Sequence, residues 1–218
     1  MKAVLIERCP AVRLVDVSHD VPPFDVAAGA FALWAGTRDF GPGSVHLAVV
    51  DPGVGTHRER LAVRAGGRLY VAPDNGLLDL VLAEQAVEGA VLLERPPSAS
   101  RTFEGRDVFA PAAGELAAGR RLEELGLATT TFVRLPPRPP SVLWIDRFGN
   151  LLTSLKPPVS ALRINGRDIR ASAPTFGAAP SAGPFHYVGS LGYVEVGVRE
   201  GRADEVLGAR PGTLVEAL

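Results

Sequence analysis

The sequence has a single cysteine, Cys9, in 218 residues. That excludes an internal disulfide framework and any cysteine zinc cluster, and it fits a reducing compartment. Only four histidines are present, His19, His46, His57 and His186, and their spacing is not that of a metal site. Charge of one sign is also missing. The formal net charge is −1 and the basic residues are scattered, so the electrostatic footprint of a nucleic-acid binder is absent. No apolar run reaches the roughly 18 residues that would span a bilayer, and Met1 is not followed by a basic segment and an apolar core. A cytoplasmic protein is expected. Hydrophobic residues make up 46%, enough to bury a substantial core in one large or two small domains.

The first part of the chain alternates. "AVRLVDVSHD" predicts a strand over residues 11–20, "DVAAGAFALWAGTRDF" a helix with Asp25 near its start, and "SVHLAVVD" a second strand. "RLAVRA" and "RLYVAP" flank Gly66-Gly67 and predict a hairpin. "DNGLLDLVLAEQ" predicts a helix capped by Asp74 or Asn75. In "RDVFAPAAGELAAG", Val108, Phe109, Ala112 and Leu116 share a helical face and Gly119 is the stop. The expectation is an α/β domain over residues 1–135 with a mainly parallel sheet.

"RLPPRPPS", residues 134–141, cannot enter a sheet interior and predicts a stiff connector. Beyond it come short runs: "SVLWID", "LLTSL", "ALRING", "RDIRAS", "FHYVG" and "YVEVGV". Residues 141–218 are expected to form a small, mainly β barrel or sandwich, with "SAPTFGAAPSAGP" as a loop.

Three stretches carry candidate chemistry. In "VVDPGVGTHRER", residues 49–60, an apolar strand ends in Asp51, at the sheet edge where α/β folds bind ligands. The Gly-Lys-Ser/Thr ending of a phosphate loop is missing, and Gly53 and Gly55 read as turn residues. Arg58 can fold back to pair with Asp51, fixing its rotamer. "TFEGRDVFAP" places Glu104, Arg106 and Asp107 around Gly105 before a helix. A negative charge in the first turn is favoured by the helix dipole, so spacing alone leaves structure and function evenly matched. "WIDRFGNLLTSL" sets Asp146, Phe148 and Asn150 at a strand–turn–strand junction. An acid, an aromatic and an amide there would suit an amino-acid or nucleoside ligand, or merely a turn.

Together and in this order, "VDVSHDVPPFDV", "VVDPGVGTHR", "VAPDNGLL", "TFEGRDVFAP", "WIDRFGNLLTSL" and "GYVEVGV" resemble the S-adenosylmethionine hydroxide adenosyltransferases, relatives of the S-adenosylmethionine-dependent fluorinases and chlorinases. The resemblance spans nearly the whole chain. It implies an α/β domain followed by a β-rich one, and a homotrimer whose sites lie between the first domain of one subunit and the second domain of its neighbour. It also implies hydrolysis of S-adenosylmethionine to adenosine and methionine by water attacking the ribose C5′. S-adenosylmethionine is then the substrate, with no cofactor and no metal, and no nucleic acid or membrane as partner.

The resemblance assigns Asp51 and Arg58 to water activation, Phe24 to the side of the ribose, and Phe148 and Asn150 to the nucleoside. Asp146 matches a carboxylate for the methionine ammonium, Gly105 lies in the substrate-binding stretch, and Ser190 falls near the backbone that reads adenine. Glu104 stands where the family carries a histidine in its water-activating set. A second carboxylate beside Asp51 is expected to raise one of the two pKa values. "MKAVLIERCP" resembles an internal family segment, members having a preceding strand and a "TDFG" stretch whose aspartate holds the ribose hydroxyls. A chain starting after it is expected to leave an unpaired position in the sheet. The alternatives are a non-catalytic binder of S-adenosylmethionine or adenosine, and a halogenase. A halide pocket wants little negative charge, and Asp51 with Glu104 argues against the latter.

Overall fold

The computed structural model describes all 218 residues and divides into two compact units, Met1–Leu135 and Pro136–Leu218. Each has its own core.

The first unit is built on a five-stranded sheet in the order β1-β3-β2-β4-β5. The strands are β1 (Val45–Leu47), β2 (Arg60–Ala65), β3 (Arg68–Pro73), β4 (Val87–Leu93) and β5 (Gly126–Ala128). Only β1 with β3 is parallel, and the other three pairings are antiparallel, so the sheet is mixed rather than mainly parallel. The reason lies in a connection: Gly66 and Gly67, at φ 55° and 72°, close β2 onto β3 in two residues. A turn that short permits only an antiparallel pair. Residues 11–20 are another correction. Their apolar/polar alternation suits a strand, yet residues 12–17 have no regular structure, because no strand lies alongside to complete a ladder.

Helix α1 (Lys2–Arg8) lies against α4 (Ala110–Ala117), where Gly114 leaves room for Arg8. Helix α2 (Val26–Thr37) begins where Asp25 accepts a hydrogen bond from the Ala28 amide at 3.0 Å. It buries Phe31, Leu33 and Trp34, and the Trp34 indole donates to Glu84 at 2.7 Å, tying it to α3 (Asp79–Glu84). The start of α3 is later than expected. Asp74 accepts from the Val133 amide and Asn75 from the Leu77 amide, so both candidate caps are used before the helix begins. Val108, Phe109, Ala112 and Leu116 pack onto Ala62, Val71 and Val91 of the sheet, and Gly119 follows at φ 93°.

In the second unit β6 (Val142–Ile145), β7 (Leu151–Thr153), β10 (Pro184–Val188) and β11 (Val194–Val198) form one antiparallel sheet. Strands β8 (Leu162–Ile164), β9 (Arg167–Ile169) and β12 (Val215–Ala217) form another. Leu151, Leu162, Ile164 and Val196 fill the core, with Leu207 of α5 (Ala203–Leu207). The expected loop at residues 172–184 holds one 3-10 turn, Phe176–Ala178. No helix is long and apolar enough to cross a membrane.

Candidate functional site

Asp51 stands just beyond the edge strand β1, and the carbonyl before it, Val50 O, accepts from the Asn75 side chain at 2.9 Å. The chain then turns tightly: Thr56 donates from both its amide and its hydroxyl to Gly53 O, at 3.1 and 2.6 Å. Gly55, at φ 79°, is required at that corner, since a Cβ there would sit 2.5 Å from the Arg101 carbonyl oxygen. The turn returns Arg58 to Asp51. Its Nε donates to Oδ1 at 2.8 Å and its Nη2 to Oδ2, a bidentate pair. The side chains are 9% and 6% exposed, and the guanidinium lies over the Phe109 ring at 5.2 Å.

Glu104 joins the same network. It precedes a single π turn, Gly105–Phe109, which runs into α4 and swings Glu104 inward, with no exposed surface. Its Oε2 accepts from Arg58 Nη2 at 2.6 Å, and its Oε1 accepts from Arg60 Nη2 at 2.8 Å and lies 3.4 Å from Arg95 Nε. The like-charge expectation for Glu104 is therefore corrected. Burial alone would push its pKa up, but the hydrogen bonds from Arg60 and Arg58 outweigh burial and hold it below the ordinary glutamate value. Burial likewise works against the charge of Arg58, and its bonds to Asp51 and Glu104 outweigh that too, raising its pKa. Arg106 and Asp107 make no direct contact with Asp51, Arg58 or Glu104. They pair with each other at 2.6 Å, Asp107 also accepts from the Ser100 amide, and Arg106 foremost holds its pKa down at about 2.

Asp51 and Pro52 line a cavity of about 750 Å³ together with Val49, Val50, His46 and Phe24. Phe24 is 80% exposed and adopts φ 68°, a strained value for a side chain of that size. Gly105 is buried against Met1 and Val49 and does not line this cavity.

In the second unit, Phe148 and Asn150 line a depression of about 480 Å³ with Phe176, Val198, Glu200 and Gly201. Asp146 organises their turn: Oδ1 accepts from the Phe148 and Asn150 amides at 2.8 and 2.9 Å, and Oδ2 from the Asn150 side chain at 2.8 Å. Phe148 is left 63% exposed. Ser190 is exposed in the loop between β10 and β11.

The structure thus brings Asp51, Arg58 and Glu104 into contact, places Phe24 on the cavity of Asp51, and joins Asp146, Phe148 and Asn150 in one turn. Sequence reasoning missed Arg60 and Arg95. The two-residue spacing of Arg58 and Arg60 was a signal, because alternate residues at the mouth of a strand face the same way. Nothing local pointed to Arg95.

Comparison with known proteins adds a second line. The domain model described as SAM hydroxide adenosyltransferase N-terminal domain matches residues 1–126, and the corresponding C-terminal domain model matches residues 140–216. The (R)-S-adenosyl-L-methionine hydrolase of Thermus thermophilus is 44% identical over 239 residues, covering 100% of this chain and 92% of the relative. The Salinispora arenicola protein of the same name is 43% identical, covering 96% and 87%. A conserved Thermotoga maritima protein of known crystal structure superposes with a TM-score of 0.91 at 31% identity, covering 100% and 93%.

Proposed function

The chain belongs to the SAM hydroxide adenosyltransferase family, and from that premise we propose that it hydrolyses S-adenosyl-L-methionine to adenosine and L-methionine. One observation carries the reading: a carboxylate, Asp51, is held by a bidentate arginine at the wall of a cavity large enough for a nucleoside. Water attacks the ribose C5′ as the C5′–S bond breaks. The bonding electrons go to sulfur, which leaves as the neutral thioether of methionine, so no general acid is needed. The proton of the attacking water passes to Asp51, the base, and then to solvent. Arg58 fixes the rotamer of Asp51 and places positive charge beside the developing hydroxide.

The remaining residues bind. Phe24 packs beside the ribose, Phe148 and Asn150 take the nucleoside, and Ser190 lies by the adenine edge. Asp146 spends three acceptor directions on its own turn, which leaves one for the methionine ammonium. Gly105 acts through the shape of the turn that carries Glu104. The assembly that would unite the two sets of residues is a homotrimer with sites between subunits, read directly by sedimentation at micromolar concentration. The reaction calls on no cofactor, and the single cysteine fits a cytoplasmic setting.

The test is incubation with S-adenosylmethionine in ¹⁸O-labelled water, with protein-free controls for spontaneous decay. Protein-dependent adenosine labelled at C5′ is expected, and Asp51→Asn should cut its rate by about 100-fold or more. Tight binding of adenosine with no labelled product would overturn hydrolysis in favour of a binding protein.

A further inference from the structure

Glu104 is pinned from two sides. Arg58 approaches Oε2, while Arg60, on β2, and Arg95, just after β4, approach Oε1. Arg58 Nη2 in turn serves both Glu104 and Asp51. The charged groups facing Glu104 are thus Arg58, Arg60 and Arg95, with Asp51 reached through Arg58, and Asp107 the acidic neighbour of Arg95. Two carboxylates meet three guanidinium groups in a nearly dry pocket. Arg60 also keeps its Nε buried with no hydrogen-bond partner. The hydrogen bond this guanidinium makes is the one from Nη2 to Glu104, at 2.8 Å. Neither Arg60 nor Arg95 lines the cavity.

We propose that Arg60, supported by Arg95, is a positioning residue for the reaction: it clamps the far oxygen of Glu104, so that the near oxygen holds Arg58 Nη2 where it also grips Asp51. The assignment rests on the hydrolytic reading above and deepens it. Glu104 has no exposed surface and, unlike Asp51, does not line the cavity, so it is the anchor of Arg58 and not a second base. Without Arg60 the carboxylate is under-compensated, its negative charge acts on Asp51 through Arg58, and Arg58 is drawn from one carboxylate toward the other.

Two readouts test this on the full chain. In the first, the Glu104 carboxyl carbon is followed by ¹³C NMR through a pH titration, its signal assigned by its loss in Glu104→Gln. Arg60→Met should raise the titration midpoint by about one pH unit or more, and Arg60→Lys should restore much of it. In the second, the acid limb of kcat should move to higher pH in Arg60→Met, with kcat at neutral pH about tenfold lower and KM changed far less. Adding Glu104→Gln to Arg60→Met should bring that limb back, since the uncompensated charge is gone.

A merely structural arginine would, in Arg60→Met, lower the melting temperature and still raise the midpoint of the Glu104 it bonds, but leave the acid limb and the neutral-pH kcat in place, which would overturn the proposal. The two readings fail separately. A wild-type chain with no turnover but a shifted Glu104 midpoint would sink hydrolysis and leave the clamp standing. Labelled adenosine with an unmoved limb in Arg60→Met would do the reverse.

Discussion

Two glutamates, one in each unit, are buried to nearly the same degree and treated in opposite ways. Glu104 is 0% exposed and Glu195, on β11, is 8% exposed. Around Glu104 stand three arginines, and its pKa is pulled down despite burial. Glu195 has the Tyr187 hydroxyl at 2.8 Å, its cross-strand neighbour on β10, and Asp146 nearby. Burial raises its pKa, Asp146 adds to the rise, and the tyrosine bond offsets only part of it. Depth does not decide the protonation of a buried acid; the charge of what surrounds it does. The first unit keeps an anion dry and ready to orient a cation. The second holds a carboxyl whose pKa stands above the ordinary glutamate value.

The sharpest way to break this comparison is to remove each side chain. Glu104→Ala leaves Arg58 and Arg60 without their shared partner and should cost about 3–5 kcal/mol of stability in urea unfolding. Glu195→Gln keeps an acceptor for Tyr187 and should cost about 1 kcal/mol or less. Equal losses would mean that the arginine cradle contributes nothing special.

The next effect concerns a third buried group. His46 is stacked on Tyr70 at 5.0 Å between ring centroids and accepts or donates a hydrogen bond with Ser44 at 2.9 Å. Burial foremost, then the Arg68 charge, brings its pKa down from 6.5 to about 4. Its neutral form is therefore the folded form. The stability it contributes is full above pH 6.5 and is lost as the pH falls toward 4. Replacing it with phenylalanine should remove up to about 3 kcal/mol of pH dependence across that window. An unchanged slope in His46→Phe would refute the burial argument.

A smaller effect carries the contrast in its sign. The folded pKa of Glu104 lies below the unfolded value, so its stabilisation is present above that value and lost as pH falls through the folded one. For Glu195 the folded pKa lies above the unfolded value, so stability declines as pH rises through it. Glu104→Gln should flatten a rise of stability with pH, and Glu195→Gln should flatten a fall. Slopes of the same sign would end the comparison. The smallest change is Tyr187→Phe, worth about 1 kcal/mol. It should push the Glu195 pKa further up, because it deletes the bond that lowers it.

Much of the candidate site was legible because it is local. Asp51 and Arg58 are seven residues apart across a glycine corner, and pairing across so short a loop can be read from spacing. Asp146, Phe148 and Asn150 fall within one turn for the same reason. The Arg60 to Glu104 contact spans 44 residues and depends on how β2 lies relative to the turn before α4, which no periodicity encodes. The fold divides in the same way. Short apolar runs between glycines and prolines became the antiparallel strands of the second unit, where the pairs β6–β7, β8–β9 and β10–β11 need only a neighbour close in sequence, while β12 on β8 and β11 on β7 do not. The pairings of β1 with β3 and of β4 with β2 and β5, and the absence of any strand at residues 12–17, depend on which edges are available to pair, a property of the whole sheet.

The π turn at Gly105–Phe109 sets a limit on how this site can change over time. In such a turn the amide of Ala110 reaches back five residues to Gly105, so the segment carries one residue more than a regular helix needs there. Deleting that residue would restore regular geometry and rotate everything before it by about 100° relative to α4. Glu104 would leave its three arginines, and Phe109 would turn away from Arg58. Substitutions can thus exchange the side chain at position 104 one at a time, but a length change cannot pass without dismantling the network. The spacing from Glu104 to α4 should be as invariant among functioning relatives as any catalytic side chain.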